Sequence, residues 1–189
     1  MNKNGKYAKT KRKILYSISS KFRPDRDLLS NGMKRICTVC FIERDGKILL
    51  GKKKRGFGTG RWNGFGGKVE PGEGLFESMQ REAMEEFSLE LTADRVHKVG
   101  ELEFKVLDNS DWNEIIIHVY YGTCDGEAIE SEELEPAWFA RDAIPYDEMW
   151  VDDIYWIPLL LEGKKFKGNF VLTESNVLSE WKVEEVEEF

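Results

Sequence analysis

The chain has 189 residues, 41% hydrophobic and 33% charged, with a formal net charge of −7. That length suits one domain with a sizeable core, and no apolar run approaches the roughly 18 residues that a membrane helix needs. Three cysteines, an odd number, argue against a disulfide scaffold and fit a reducing compartment.

Residues 1–35 hold eleven Lys/Arg against two Asp/Glu, a net of +9, so the rest of the chain carries −16. The basic arm, residues 1–34, lacks strong periodicity and reads as a solvated extension. Organelle targeting is the sharper alternative, because the first 24 residues contain no acid and several serines. The acidic body argues against duplex nucleic acid as a partner, since that needs a basic surface.

From Arg35 the pattern becomes structured. "RICTVCFIERDGKILLGKKK" is two apolar runs around Asp45-Gly46, a β-hairpin signal. Cys37 and Cys40 have CxxC spacing, but they lie in an apolar strand and no second pair exists, so they read as structural. A glycine-rich loop, Arg55–Gly67, follows. It is not a P-loop, since Gly67-Lys68 is followed by Val69. Pro71-Gly72 marks a turn. Phe76, Met79, Ala83 and Phe87 recur every three or four residues and predict a helix over Leu75–Phe87. Strand-like runs come at Val96–Leu107, Glu114–Cys124 and Ala137–Phe139. "DDIYWIPLLLEG" predicts a second helix closed by Gly163, and "KFKGNFVL" a short strand. The acidic tail, residues 176–189, falls between a frayed helix and disorder. His97 and His118 lie in no metal-ligand pattern and read as structural. The expectation is an α/β (α+β) domain over residues 35–175, a mixed sheet flanked by helices.

The stretch Gly66–Ser88 holds six glutamates. Glu82 and Glu86 are four apart and stack on one helix face, with Glu85 beside them. Like charges at this spacing destabilise a helix by a few tenths of a kcal/mol per pair. Converging carboxylates form a hard-oxygen site suited to Mg²⁺ or Mn²⁺, which would neutralise that repulsion. On the cluster alone, a solvated acidic face explains the pattern as well.

The surrounding residues decide between the two. From Gly67 the sequence reads Gly, five residues, Glu73, seven residues, Arg81-Glu82-Ala83, any, Glu85-Glu86, any, Ser88-Leu89. This resembles the Nudix box, G-x5-E-x7-R-E-U-x-E-E-x-G-U with U apolar. One position departs: Ser88 stands where the box has glycine, at the turn out of the helix. The resemblance implies the Nudix α/β/α sandwich with a mixed sheet and metal-assisted hydrolysis of a nucleoside diphosphate linked to another group. It also implies Mg²⁺ as cofactor, with Mn²⁺ as the alternative. The implied catalytic residues are Glu82, Glu85, Glu86 and Arg81, the last pairing with Glu73. The implied metal ligands are Glu82, Glu85, Glu86, the Gly66 backbone and an acid from a distant loop, for which Glu133 is preferred over Glu132.

"GKKKRGFGTGRWNGFGGKVEPGE", "HKVGELEF", "SEELEPAWF" and "MWVDDIYWIPLLLEGKKFKG" extend the likeness to the branch of that family acting on oxidised purine nucleoside triphosphates. That branch implies a purine pocket in which Asn63, Asp152 and Asp153 read the base edge and Trp150 stacks on the ring. Phe57 and Phe104 would lie nearby, with Thr38 and Lys53 lining the pocket. Val151 and Val106 depart from the branch's usual proline and aromatic residue. Adjacent buried acids cannot easily both ionise, so one would serve as a donor and the pair could read oxidised guanine and oxidised adenine. The expected substrates are 8-oxo-dGTP and 2-hydroxy-dATP, cleaved to monophosphate and pyrophosphate. The rival readings are another Nudix substrate (a methylated purine nucleotide, a dinucleoside polyphosphate or an RNA cap) and a non-catalytic nucleotide-binding module. A cytoplasmic monomer with a small-molecule substrate and no membrane partner is expected.

Overall fold

The computed structural model describes residues 34–107, 114–173 and 177–189. The basic arm lies almost entirely outside them. The hairpin comprises β1 (Lys34–Arg44) and β2 (Lys47–Lys53). Asp45 and Gly46 join them with φ of 51° and 72°, a positive-φ pair whose twist suits two antiparallel strands. β3 (Trp62–Asn63) lies inside the glycine-rich loop, and α1 (Leu75–Phe87) coincides with the expected helix. β4 (Val96–Leu107), β5 (Glu114–Gly122) and β6 (Leu134–Ala140) follow. β6 exceeds the expected run because β2 offers backbone partners along its whole length, from Lys53↔Leu134 to Lys47↔Ala140. A short 3₁₀ turn, Tyr146–Glu148, leads to α2 (Asp153–Leu161) and β7 (Lys165–Thr173).

The tail is neither frayed helix nor disordered. Leu178–Val186 form β8, which pairs antiparallel with β7 through Asn169↔Lys182 and Phe170↔Trp181. Trp181 and Val183 alternate onto the core, and Tyr155 of α2 packs on Trp181 with ring centroids 4.7 Å apart. In the sequence this two-residue period is drowned by glutamates, and Val186 falls out of phase with it. Only the unpaired edge of β7 reveals the strand.

The strands form one mixed sheet in the order β3-β2-β1-β5-β4-β7-β8, with β6 also on β2. β1–β5 and β4–β7 run parallel. The middle of β1, Val39–Ile42, is apolar because both of its faces are covered. Val39 and Phe41 join the core under α2, with Leu102, Phe104, Trp156 and Phe170. Cys40 and Ile42 join the core under α1, with Phe65, Met79, Ala83 and Phe87. Cys37, Cys40 and Cys124 are free thiols. Among the described residues no helix is long and apolar enough to cross a membrane. This arrangement leaves two features on one body: an acidic cavity at the exposed edge of α1, and a pair of buried acids at the start of α2.

Candidate active site

α1 buries Met79, Ala83 and Phe87 and turns its glutamates toward the glycine-rich loop. At its start, Glu77 accepts a hydrogen bond from Gly74 N–H at 2.9 Å. Gly66 has φ 141°, and a side chain there would collide with the Thr38 carbonyl. The bare backbone lets Gly66 N–H donate to Glu86 Oε2 at 2.8 Å. A cavity of about 690 Å³ opens here, lined by Gly66, Glu82, Glu85, Glu86, Glu132 and Glu133, with Lys53 and Arg55 facing in.

Two basic centres manage the negative charge. Arg81 donates through Nε and Nη2 to the two oxygens of Glu73, at 2.9 and 3.1 Å. Its Nη1 reaches Glu82 at 2.8 Å and Glu85 at 3.2 Å. Arg81 thereby ties the loop to the helix, and its hydrogen bonds hold Glu73 down to about 2. Lys53 Nζ donates to Glu133 at 2.9 Å and lies 3.7 Å from Glu86. Glu86 is the buried acid of the set, with 7% of its side chain exposed. Burial pushes its carboxyl up to about 7, against the Gly66 hydrogen bond and the charge of Lys53. Burial also raises Glu82, against Arg81.

Among the described residues no three of these carboxylates converge closely enough to enclose an ion as they stand. The expected convergence is replaced by ion pairs. Carboxylates this close repel, and Arg81, Lys53 and Arg55 are the cations that pair with them. The donor set still suits a divalent cation. It offers hard oxygens only, one of them on a buried carboxyl that has a single lysine for partial compensation.

The second site gathers at Trp150. The Phe57 ring stacks on it at 5.0 Å and 24°. The Arg61 guanidinium lies 4.6 Å from the ring centroid, and Arg61 Nη1 donates to Met149 O at 2.7 Å. Asp152 Oδ2 accepts from Trp156 Nε1, and Asp153 Oδ2 accepts from Trp150 N–H, each at 3.0 Å. Both aspartates are buried. Burial raises both carboxyls, and the like charge of Asp152 adds to the rise at Asp153.

A family model described as the NUDIX domain matches residues 33–160. The chain belongs to the Nudix family. It is 41% identical over 155 residues to the oxidized purine nucleoside triphosphate hydrolase of Danio rerio, covering 82% of this chain and 97% of that protein. The protein of the same name from Mus musculus is 41% identical over 159 residues, with the same coverage. A crystal structure of a MutT protein from Bacillus halodurans shares the fold, with TM-score 0.70 and 24% identity over 79% of this chain and 97% of that one. The chain is thus a Nudix hydrolase, and Nudix hydrolases work with divalent cations.

In the Nudix box, Ser88 takes the left-handed conformation that glycine favours, with φ 56°. Leu89 N–H closes back on Ala83 O at 3.1 Å, so the helix exit keeps its form despite the substitution. Asn63 sits on β3 with its Oδ1 accepting from Gly64 N–H at 2.8 Å. Phe104 lies in the core, stacked on Phe170 at 5.0 Å. Thr38 is buried on β1, and its Oγ1 has no hydrogen-bond partner. Lys53, expected with Thr38 in the purine pocket, lines the acidic cavity, and neither Thr38 nor Phe104 does. Sequence reasoning missed Arg55 and Arg61. Arg55 bonds Glu132 and Glu133, both at 3.2 Å. The only sequence signal for either was an arginine inside a glycine-rich loop.

Proposed function

We propose that this Nudix hydrolase cleaves oxidised purine nucleoside triphosphates, 8-oxo-dGTP and 2-hydroxy-dATP, to monophosphate and pyrophosphate, removing damaged nucleotides from the pool. The observation that carries the reading is the buried Asp152-Asp153 pair beside Trp150, in a chain whose curated relatives are named for that activity. Glu82, Glu85, Glu86, Glu133 and the Gly66 backbone would hold Mg²⁺, with Mn²⁺ as the alternative. Bound there, the cation neutralises charge on the phosphate chain and polarises water.

The protein's own groups do the rest. Lys53 and Arg55 face the cavity and exchange their glutamate partners for phosphate oxygens. Arg81 holds Glu82 and Glu85 in place while staying bonded to Glu73. One of the cavity carboxylates takes the proton of the attacking water. At the other site, Trp150 offers a ring face to the purine. The aspartate that keeps its proton donates to the base, and the ionised one accepts.

The test is hydrolysis of a panel of oxidised, methylated and normal nucleotides, a dinucleoside polyphosphate and an RNA cap, with Mg²⁺ and both products measured. The two oxidised purines should exceed normal dGTP and dATP by roughly tenfold or more in kcat/KM. Preference for any other member of the panel would overturn the assignment.

A further inference from the structure

The acidic cavity and the aspartate pair leave a half-buried contact without a role: Arg61, reaching from the glycine-rich loop to Trp150. Three features fix it there. Gly58, at φ 82°, brings the loop so close that a side chain would lie 2.8 Å from the Trp150 ring. The guanidinium covers that ring at 4.6 Å, and Nη1 donates at 2.7 Å to the carbonyl of the preceding residue, Met149. The next backbone N–H, that of Trp150, is the one Asp153 accepts. One side chain therefore contacts the ring, holds the backbone carrying it and brings a positive charge toward the buried acid.

We propose that Arg61 is a positioning and specificity-determining residue: it clamps Trp150 over the base site, and its charge sets which of Asp152 and Asp153 keeps the shared proton. The proposal rests on the reading of Trp150, Asp152 and Asp153 as the base site. The ionisable groups around Asp153 are few. Burial pushes its carboxyl up, its chain neighbour Asp152 pushes it further, and the Trp150 N–H and Arg61 pull it down. Tyr146, on the 3₁₀ turn, is raised to about 12 by burial and then by Asp153, so it stays neutral. Asp147 and Glu148 on that turn are exposed, and Glu148 pairs with Lys52 at 3.3 Å.

Burial and the Asp152 charge both favour a proton on Asp153, and the charge of Arg61 opposes it. With Arg61 in place, the alternative with ionised Asp153 and protonated Asp152 comes closer in energy. The two arrangements present different donor–acceptor patterns, which is what one pocket needs to read two oxidised bases.

The experiment compares full-length wild type with Arg61→Met, Arg61→Gln and Arg61→Lys. It measures the pH dependence of kcat/KM for 8-oxo-dGTP and 2-hydroxy-dATP, and uses Trp150→Ala as a reference. The neutral variants should move the limb reporting the aspartate pair to higher pH by about half a unit or more. They should also change the ratio between the two substrates by roughly threefold or more, the scale of half a pKa unit. Arg61→Lys should keep the limb and the ratio while raising KM for both substrates, because charge survives and the planar clamp does not. Two neutral variants guard against a folding failure in either one. An unmoved limb and ratio in the neutral variants, with Trp150→Ala impaired, overturns the role of Arg61 alone. So does Arg61→Lys behaving like Arg61→Met, which would remove charge as the agent. Unchanged kcat/KM for both bases in Trp150→Ala overturns the base-site reading, and the inference with it.

Discussion

The acidic cavity and the Asp152-Asp153 pair use the same functional group in opposite ways. Glu82, Glu85 and Glu133 in the cavity, and Glu73 bonded to Arg81, each have a cationic side chain within 3.2 Å. Those cations hold Glu73 and Glu133 below the usual carboxylate range, while burial still raises Glu82. At the start of α2, two adjacent carboxyls are buried, and each accepts one hydrogen bond from a neutral N–H. Desolvation there favours the protonated form, which turns an acceptor into a donor. Under the proposed function, charge serves chemistry at one site and is suppressed for recognition at the other. Glu86 stands between the two regimes, buried like the aspartates but within 3.7 Å of Lys53.

The sharpest way to break this contrast is at Glu86. Glu86→Gln should lower kcat by about two orders of magnitude or more, the scale of a lost metal-polarised or acid–base contribution. Its metal-free melting temperature at pH 7.5 should nevertheless rise, because a buried charge is removed while Gly66 N–H keeps an acceptor. Near-normal activity with Mg²⁺ would place the chemistry elsewhere. At the recognition site, Asp152→Asn and Asp153→Asn should each cost roughly 1–3 kcal/mol in kcat/KM for 8-oxo-dGTP, the penalty of a mispaired buried polar group. The two variants should differ in their preference between 8-oxo-dGTP and 2-hydroxy-dATP. Equal losses on every substrate would make the pair structural.

A smaller effect concerns pH. The Glu86 carboxyl is raised in the fold from 4.5 to about 7, so folding favours its protonated form. Its contribution to stability is therefore most favourable below about pH 4.5, declines as pH rises through 7 and is flat above. Metal-free wild type should lose melting temperature relative to Glu86→Gln across that window. Saturating Mg²⁺ should flatten the slope by favouring the ionised carboxylate. A constant difference between the two proteins from pH 5 to 8 would contradict the burial of that charge. The smallest change is expected at Ser88, whose left-handed backbone costs a residue with a side chain roughly 1 kcal/mol. Ser88→Gly should recover about that amount in denaturant unfolding with kcat unchanged.

What the sequence by itself determined follows from short-range periodicity and turn chemistry. The hairpin at Asp45-Gly46 needs only two residues that accept positive φ between two apolar runs. α1 needs only the spacing of Phe76, Met79, Ala83 and Phe87, and that spacing places Glu82 and Glu86 on one face. The box pattern adds Arg81 and Glu73, eight residues apart and joined in the fold by two hydrogen bonds. Tertiary structure alone decided the rest, because burial and long-range pairing depend on what packs alongside. The glutamate-rich tail is a strand because β7 presents an open edge to Trp181 and Val183. Asp152 and Asp153 look in sequence like ordinary acids at a helix start, and only the packing around α2 removes their water. Glu133 meets Lys53 and Arg55 because β6 pairs with β2. Arg61 reaches Trp150 because a glycine-rich loop can approach the ring without a side chain in the way. Desolvation and counter-charge, the two quantities that separate the sites, are properties of the assembled fold, and no local spacing of residues encodes them.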